Sequence, residues 1–299
     1  MASNFKSVRK FGLWLSVVLM VLSLLIITLK GVPLGQDFTG GYVSEFALPQ
    51  YVAQEQLNQV LGSYIDGPFR LTERGLGQWS VFQTPEAGRA SGDWLASWSV
   101  HSGATVLDNS FLGAAAGDEL IEQGMMALLF ATLAVMLYLL GRFEWRLSVA
   151  ATLALAHDVI ITLALLALFE VEFTLTVLAA ILAIIGYSLN DSIVIGDKVR
   201  EIVRAKPEQN VSRSVNEAIF ASMSRTLITS LTTLTTIISI WMMAGAPLRG
   251  FAITLFIGVL VGTWSSVFIS ATLPQSLGLS SDNYLHKDSE EVKRQLAEP

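Results

Sequence analysis

The chain of 299 residues contains no cysteine and only three histidines. The first absence rules out a disulfide framework, a thiolate metal site and a cysteine nucleophile. Charge is scarce too: 15% of residues are Asp, Glu, Lys or Arg, and the formal net charge is −6. An acidic balance with no basic stripe interleaved with aromatics argues against nucleic acid as a partner. Against these shortages stands an excess of apolar residues, 52% of the chain, with a mean hydropathy of +0.55. That composition belongs to an integral membrane protein.

Six apolar runs approach the roughly 20 residues needed to cross a bilayer. They cover residues 11–29, 124–140, 147–169, 173–195, 226–248 and 250–273. The first follows Lys6, Arg9 and Lys10 and so resembles a signal peptide, but its uncharged stretch is long and no small-x-small cleavage site follows, so a retained anchor is expected. Basic residues cluster before the first run, after the second (Arg142, Arg146) and after the fourth (Lys198, Arg200, Arg204, Lys206, Arg213). The turn after the third run carries Glu170 and Glu172 and no basic residue. The positive-inside rule then puts both termini in the cytoplasm and residues 31–121 outside.

Residues 31–121 are the only stretch large enough for a folded domain outside the membrane. Period-two alternation predicts strands near 42–48, 69–72, 79–82 and 104–107, and apolar spacing predicts helices near 52–61 and 93–100. The expected fold class is therefore an α-helical polytopic membrane protein of six spans, with one small periplasmic α+β domain between the first two. The predicted layout is a cytoplasmic stub and first span over 1–30, the external domain over 31–121, five helices over 122–275 and a cytoplasmic tail over 276–299. A cytoplasmic loop is expected over 197–224. The external domain shows no catalytic constellation.

The membrane runs carry a few polar residues, and these are informative. Residues 173–196 hold a single charge, Asp191, with Asn190 beside it. An acid at the centre of a membrane helix costs about 2.5–3.5 kcal/mol on insertion scales, and such residues commonly handle an ion or a proton. Ile184, Tyr187, Ser188 and Asp191 share one helix face. If the helix ends near Ile195, Asp191 lies about 7 Å from its inner end. The fifth run reads as a helix starting at Arg225, and Arg225, Thr229, Thr232 and Thr236 form a polar stripe within about 60° of arc. Arg225 could pair with Asp191 across the two helices, or it could snorkel at a helix end. The threonines could equally serve as interhelical hydrogen bonders. His157 and Asp158 lie near the middle of the third run, as a buried structural pair or as a relay element. Adjacent residues point 100° apart and no third ligand is in sight, so no metal site is expected. Gly250, Thr254, Gly258, Gly262 and Ser266 recur every four residues in the sixth run, a ridge for close helix packing.

A helix movement that makes or breaks a contact between Asp191 and Arg225 would change the affinity of the acid for a proton. That is the requirement for coupling ion passage to a conformational change, and roughly 2.3 kcal/mol is available per charge per 100 mV. Carboxylate, hydroxyl and amide oxygens would also suit sodium as a hard cation.

Several segments, in order, resemble the SecF family: QDFTGG (36–41), RFEWR (142–146), ALAHDV (154–159), IGYSLNDSIV (185–194), SRTLITSLTT (224–233) and PLRGFAITLFIGVLVGTWSS (247–266). The resemblance runs from about residue 11 to residue 273. It implies one half of a resistance-nodulation-division type membrane domain, paired with a SecD subunit in the bacterial inner membrane. It further implies a non-enzymatic role in which the proton (or sodium) motive force assists protein export through the SecYEG translocon. YajC and unfolded secretory proteins on the periplasmic side are the further partners implied, and no cofactor. The family's intramembrane acid falls on Asp191 and its arginine on Arg225. Two other readings are open to the sequence. A half-size exporter of small molecules would need larger external domains. An intramembrane enzyme built on His157 and Asp158 would need a nucleophile or metal set.

Overall fold

The computed structural model describes residues 2–75, 77–83, 93–112 and 114–281. Helix α1 (Ala2–Lys30) leads through a single turn, α2 (Gln36–Thr39), into a sheet domain. That domain runs β1 (Gly41–Ala47), α3 (Gln54–Leu61), β2 (Phe69–Gly75), β3 (Gln78–Gln83), α4 (Asp93–Ser102) and β4 (Thr105–Leu112). Five long helices follow: α5 (Ala114–Arg142), α6 (Trp145–Leu168), α7 (Leu175–Ala205), α8 (Val211–Met243) and α9 (Ala246–Ser265). A π-turn over Ser266–Ser270 extends α9 towards the short α10 (Leu273–Ser276).

The strands lie in the order β2-β3-β1-β4, all neighbours antiparallel. This is the split β-α-β of the ferredoxin-like plan, with β1 as one of the two inner strands. Phe46, Trp79 and Val81 point to one face, where α3 and α4 bring Leu57, Leu61, Leu95 and Trp98 onto them. Trp94 donates its ring N–H to Gln83 Oε1 at 2.9 Å, which satisfies a buried polar pair at the edge of this core. The strand β4 runs to Leu112, past the expected 104–107, pairing with β1 along its whole length around a bulge at Glu45/Phe46. The added residues Asp108, Asn109 and Ser110 are polar, but β4 is an edge strand, where side chains of that kind are tolerated.

Among the described residues six helices are long and apolar enough to cross a membrane. They are not equivalent. More than half of the most apolar window of α6 is buried within the chain, against 11% for that of α5. Thus α6, α7 and α9 form the inside of the bundle, while α1, α5 and α8 present most of their surface outward. Small residues permit this packing: a Cβ on Gly258 of α9 would overlap Ile184 of α7, and a Cβ on Gly262 would lie 3.0 Å from that of Ser188.

The segment 197–224, expected as a loop, is helical except at 206–210. Its charges hide an apolar stripe. Ile195, Val199 and Val203 recur every four residues on α7 and face Val215, Ala218 and Ile219 of α8 in one buried cluster with Leu147 and Val267. Burying such a stripe is what holds a helix beyond its membrane portion. Arg225 therefore lies 14 residues inside α8 (211 to 225) and not at its start. Asp191 likewise lies 14 residues before the end of α7 (191 to 205), roughly 21 Å and not 7 Å from that end.

Candidate ion-handling site

Helices α6, α7, α8 and α9 meet around a buried polar layer. Asp158 of α6 is its centre and is fully buried. Its Oδ2 accepts hydrogen bonds from Ser188 Oγ of α7 at 2.6 Å and from Ser265 Oγ of α9 at 2.8 Å. Its Oδ1 lies 3.0 Å from His157 Nδ1. The neighbouring residues make this convergence possible. Ala150, Ala151 and Ala154 keep the buried face of α6 small, Gly262 lets α9 approach Ser188, and the π-turn starts immediately after Ser265. Such π-turns inside helices recur at functional positions.

Asp191 sits one turn along α7 from Ser188 and is only 3% exposed. Its electrostatic neighbours on α8 are Thr226 and Arg225. Thr226 Oγ1 faces Asp191 without a hydrogen bond of good geometry, and Asp191 Oδ2, Ser192 Oγ, His157 Nε2 and Thr162 Oγ1 make none either. All five atoms are buried and lie on three of the four helices that meet here, Thr162 one turn from Asp158 on the side away from Asp191. An interior polar atom without a partner costs on the order of 1–3 kcal/mol, so a group of them suits a layer that takes water or a cation. A carboxylate among hydroxyls is a hard oxygen donor set. Among the described residues no group of three His, Cys, Asp or Glu side chains could hold a metal ion. Beside this layer runs a ladder of hydroxyls joining three helices. Tyr187 donates to Ser230 at 3.3 Å, Ser230 and Thr263 lie 2.8 Å apart, and Thr263 donates to the carbonyl of Val259 at 2.7 Å.

The expected site residues divide into two sets. Asp191, Asp158, His157 and Ser188 are buried together. Asn190 points outward, 100° from Asp191 on α7. The stripe Arg225, Thr229, Thr232, Thr236 does not line the crevice: Thr229 is half-buried and the other three are exposed. The reason is angular. The buried face of α8 follows Ser222, Thr226, Ser230 and Ile237, one residue away from the stripe. The hydroxyls of Thr229, Thr232 and Thr236 turn back to the main chain of their own helix, to Arg225, Ile228 and Thr232. Arg225 is near Asp191 without a contact ion pair between them.

Residues 96–279 match the family model "Protein export membrane protein SecD/SecF, C-terminal". The chain belongs to the SecD/SecF family. It is 35% identical over 288 residues to protein translocase subunit SecF of Escherichia coli O157:H7, covering 94% of this chain and 88% of the relative. It is 38% identical over 280 residues to the SecF of Calditerrivibrio nitroreducens, covering 90% and 92%. Among solved structures it is similar to SecDF from Thermus thermophilus, with a TM-score of 0.81 and 32% identity over 92% of this chain. A SecDF structure in a super-membrane-facing form matches with a TM-score of 0.72 and 30% identity. The chain spans about two fifths of these SecDF chains, 38% and 39%, but nearly the whole of the SecF relatives.

Several members of the polar layer escaped sequence reasoning: Ser265, Thr226, Thr162, Ser192, Ser230 and Thr263. One signal existed for Ser265. It falls seven residues after Gly258 and three after Gly262, which places it beside the ridge that approaches α7. The others are single hydroxyls among many.

Proposed function

We propose that this chain is the SecF half of a SecD–SecF assembly that uses an ion gradient to assist protein translocation, with Asp191 as the ion-carrying group. The observation that carries the reading is the buried, unpartnered Oδ2 of Asp191 in a layer of four helices, in a chain of the SecD/SecF family. The acid is held at one depth because Ser188, on the same helix, is tied to Asp158. In this reading Asp158 and His157 are the relay groups behind it, and Arg225 biases the Asp191 site from α8. The hydroxyl edge of α8 and the outward faces of α5 and α8 are where the helices of SecD would pack. The fused SecDF relatives, of which this chain matches under half, support a SecD partner. SecYEG, YajC and unfolded secretory proteins are the further partners of the proposed assembly. It is an auxiliary subunit of transport, not an enzyme.

The lysine and arginine bias supports an orientation in the inner membrane with both termini cytoplasmic and the sheet domain periplasmic. A small-molecule exporter is not favoured, because family membership argues for translocation and the one external domain is a single small sheet. The test is Asp191→Asn in a strain relying on this protein. The variant should accumulate and co-purify with SecD, yet support export no better than the empty strain. Normal export by that variant would remove Asp191 from the mechanism.

A further inference from the structure

The motif QDFTGG (36–41) lies far from the polar layer, at the junction of the sheet domain and the bundle. It forms α2 and the start of β1, one of the two inner strands. The first turn of α7 has two caps. Thr174 Oγ1 accepts from the N–H of Val177 at 3.3 Å. The second comes from 138 residues away: Asp37 Oδ2 accepts from the N–H of Leu175 at 2.8 Å. Backbone bonds flank it, Gly35 N–H to Phe173 O at 2.8 Å and Phe173 N–H to Pro33 O at 2.7 Å. Phe38 is buried and its ring packs 5.4 Å from that of Phe173. The junction is also tightly built. A Cβ on Gly35 would lie 2.7 Å from Thr174 Cγ2, and a Cβ on Gly117 of α5 would overlap the carbonyl of Phe38. Past α2, Gly40 and Gly41 take φ of 64° and 146°, and a side chain on Gly41 would overlap Gln83 O of β3.

We infer that Asp37 is the positioning residue that couples the ion-carrying helix to the sheet domain. This rests on Asp191 acting as proposed. The helix that carries Asp191 begins at the N–H held by Asp37, and four residues after Asp37 the chain enters an inner strand of the sheet. An α-helix is stiff along its axis, so a displacement of α7 at Asp191 reaches Leu175. A carboxylate at a helix N-terminus accepts from a free N–H and complements the helix dipole, so the cap stays made as the helix moves. The sheet domain then follows α7 through α2. Arg70 of β2 pairs with Glu172 beside the same junction, but both are partly exposed, and exposed pairs hold weakly.

The experiment uses the full-length chain with its SecD partner in membrane vesicles. It compares Asp37→Ala, which loses the cap, with Asp37→Asn, which keeps an acceptor. Two quantities are read: the pH profile for carbodiimide labelling of Asp191, and gradient-driven translocation of a secretory protein. Asp37→Ala should leave the labelling profile in place and lower gradient-driven translocation at least about fivefold, the size of one lost cap. Asp37→Asn should restore it. Gly35→Ala, which wedges Thr174 away from the same junction, should mimic the loss and serves if Asp37→Ala does not accumulate. Unchanged translocation in both Asp37→Ala and Gly35→Ala overturns the inference. So does a loss that Asp37→Asn does not restore, or a labelling profile that moves with Asp37→Ala. Failure of the ion-carrying role itself would show separately, as normal translocation by Asp191→Asn.

Discussion

Replacing Asp158 should divide structural from polar effects in the membrane core. The carboxylate takes three contacts, from Ser188 on α7, Ser265 on α9 and its own neighbour His157, and so ties α6 to two other helices. Asp158→Leu fills much of the volume and strands two hydroxyls and a ring nitrogen among apolar neighbours. Interhelical hydrogen bonds in membranes average about 0.6 kcal/mol and reach roughly 1.7. Two such bonds, to Ser188 and Ser265, give a loss of about 1–3.5 kcal/mol, or a fall of roughly 2–10 °C in apparent Tm for a chain of this size. Ser188→Ala removes one contact and should lower Tm by only about 1–5 °C. Asp158→Asn is close to neutral for stability, since its amide can donate to both serine hydroxyls, which then act as acceptors. Unfolding of detergent-solubilised protein, followed by tryptophan fluorescence, gives the ranking. A melting point for Asp158→Leu equal to wild type would refute the keystone role. So would an Asp158→Asn variant as unstable as Asp158→Leu.

Two further substitutions probe packing. Gly258→Ala drives a methyl into Ile184 and should cost about 1–3 kcal/mol by overpacking. Gly186→Ala on α7 has open space and should be neutral or stabilising by up to about 1 kcal/mol, so equal melting points for the pair would contradict the close α7–α9 contact. In the sheet domain Trp79 is buried with an unpartnered ring N–H. Trp79→Ala should lose about 3 kcal/mol, at the low end of the range for such truncations. Trp79→Phe removes the unpaired donor and should retain most of that stability. Limited proteolysis of the domain in the intact chain measures both.

The spans were legible because length and hydropathy state what a bilayer requires, and no partner is needed to read them. The strands were legible where apolar and polar residues alternate, as over β1 and β3, and fell short in β4, whose outer half is polar. Asp191 announced itself by the energy it takes to place an acid there. What failed was orientation. A helical projection shows that Arg225, Thr229, Thr232 and Thr236 share a face, but not whether that face meets α7 or points away from it; the bundle decided for Thr226 and Ser230. Charge also misled at 197–224, where lysines and arginines concealed a stripe of valines and isoleucines at helical spacing. The role of Asp158 depends on Ser188 and Ser265, which lie 30 and 107 residues away. No local pattern reports such a contact.

The most direct test of the account is translocation into vesicles energised by a proton gradient alone or a sodium gradient alone, comparing wild type with Asp191→Asn. One of the two gradients should stimulate the wild-type protein, and Asp191→Asn should stay at the level seen with no gradient. Stimulation of Asp191→Asn equal to that of wild type would contradict it.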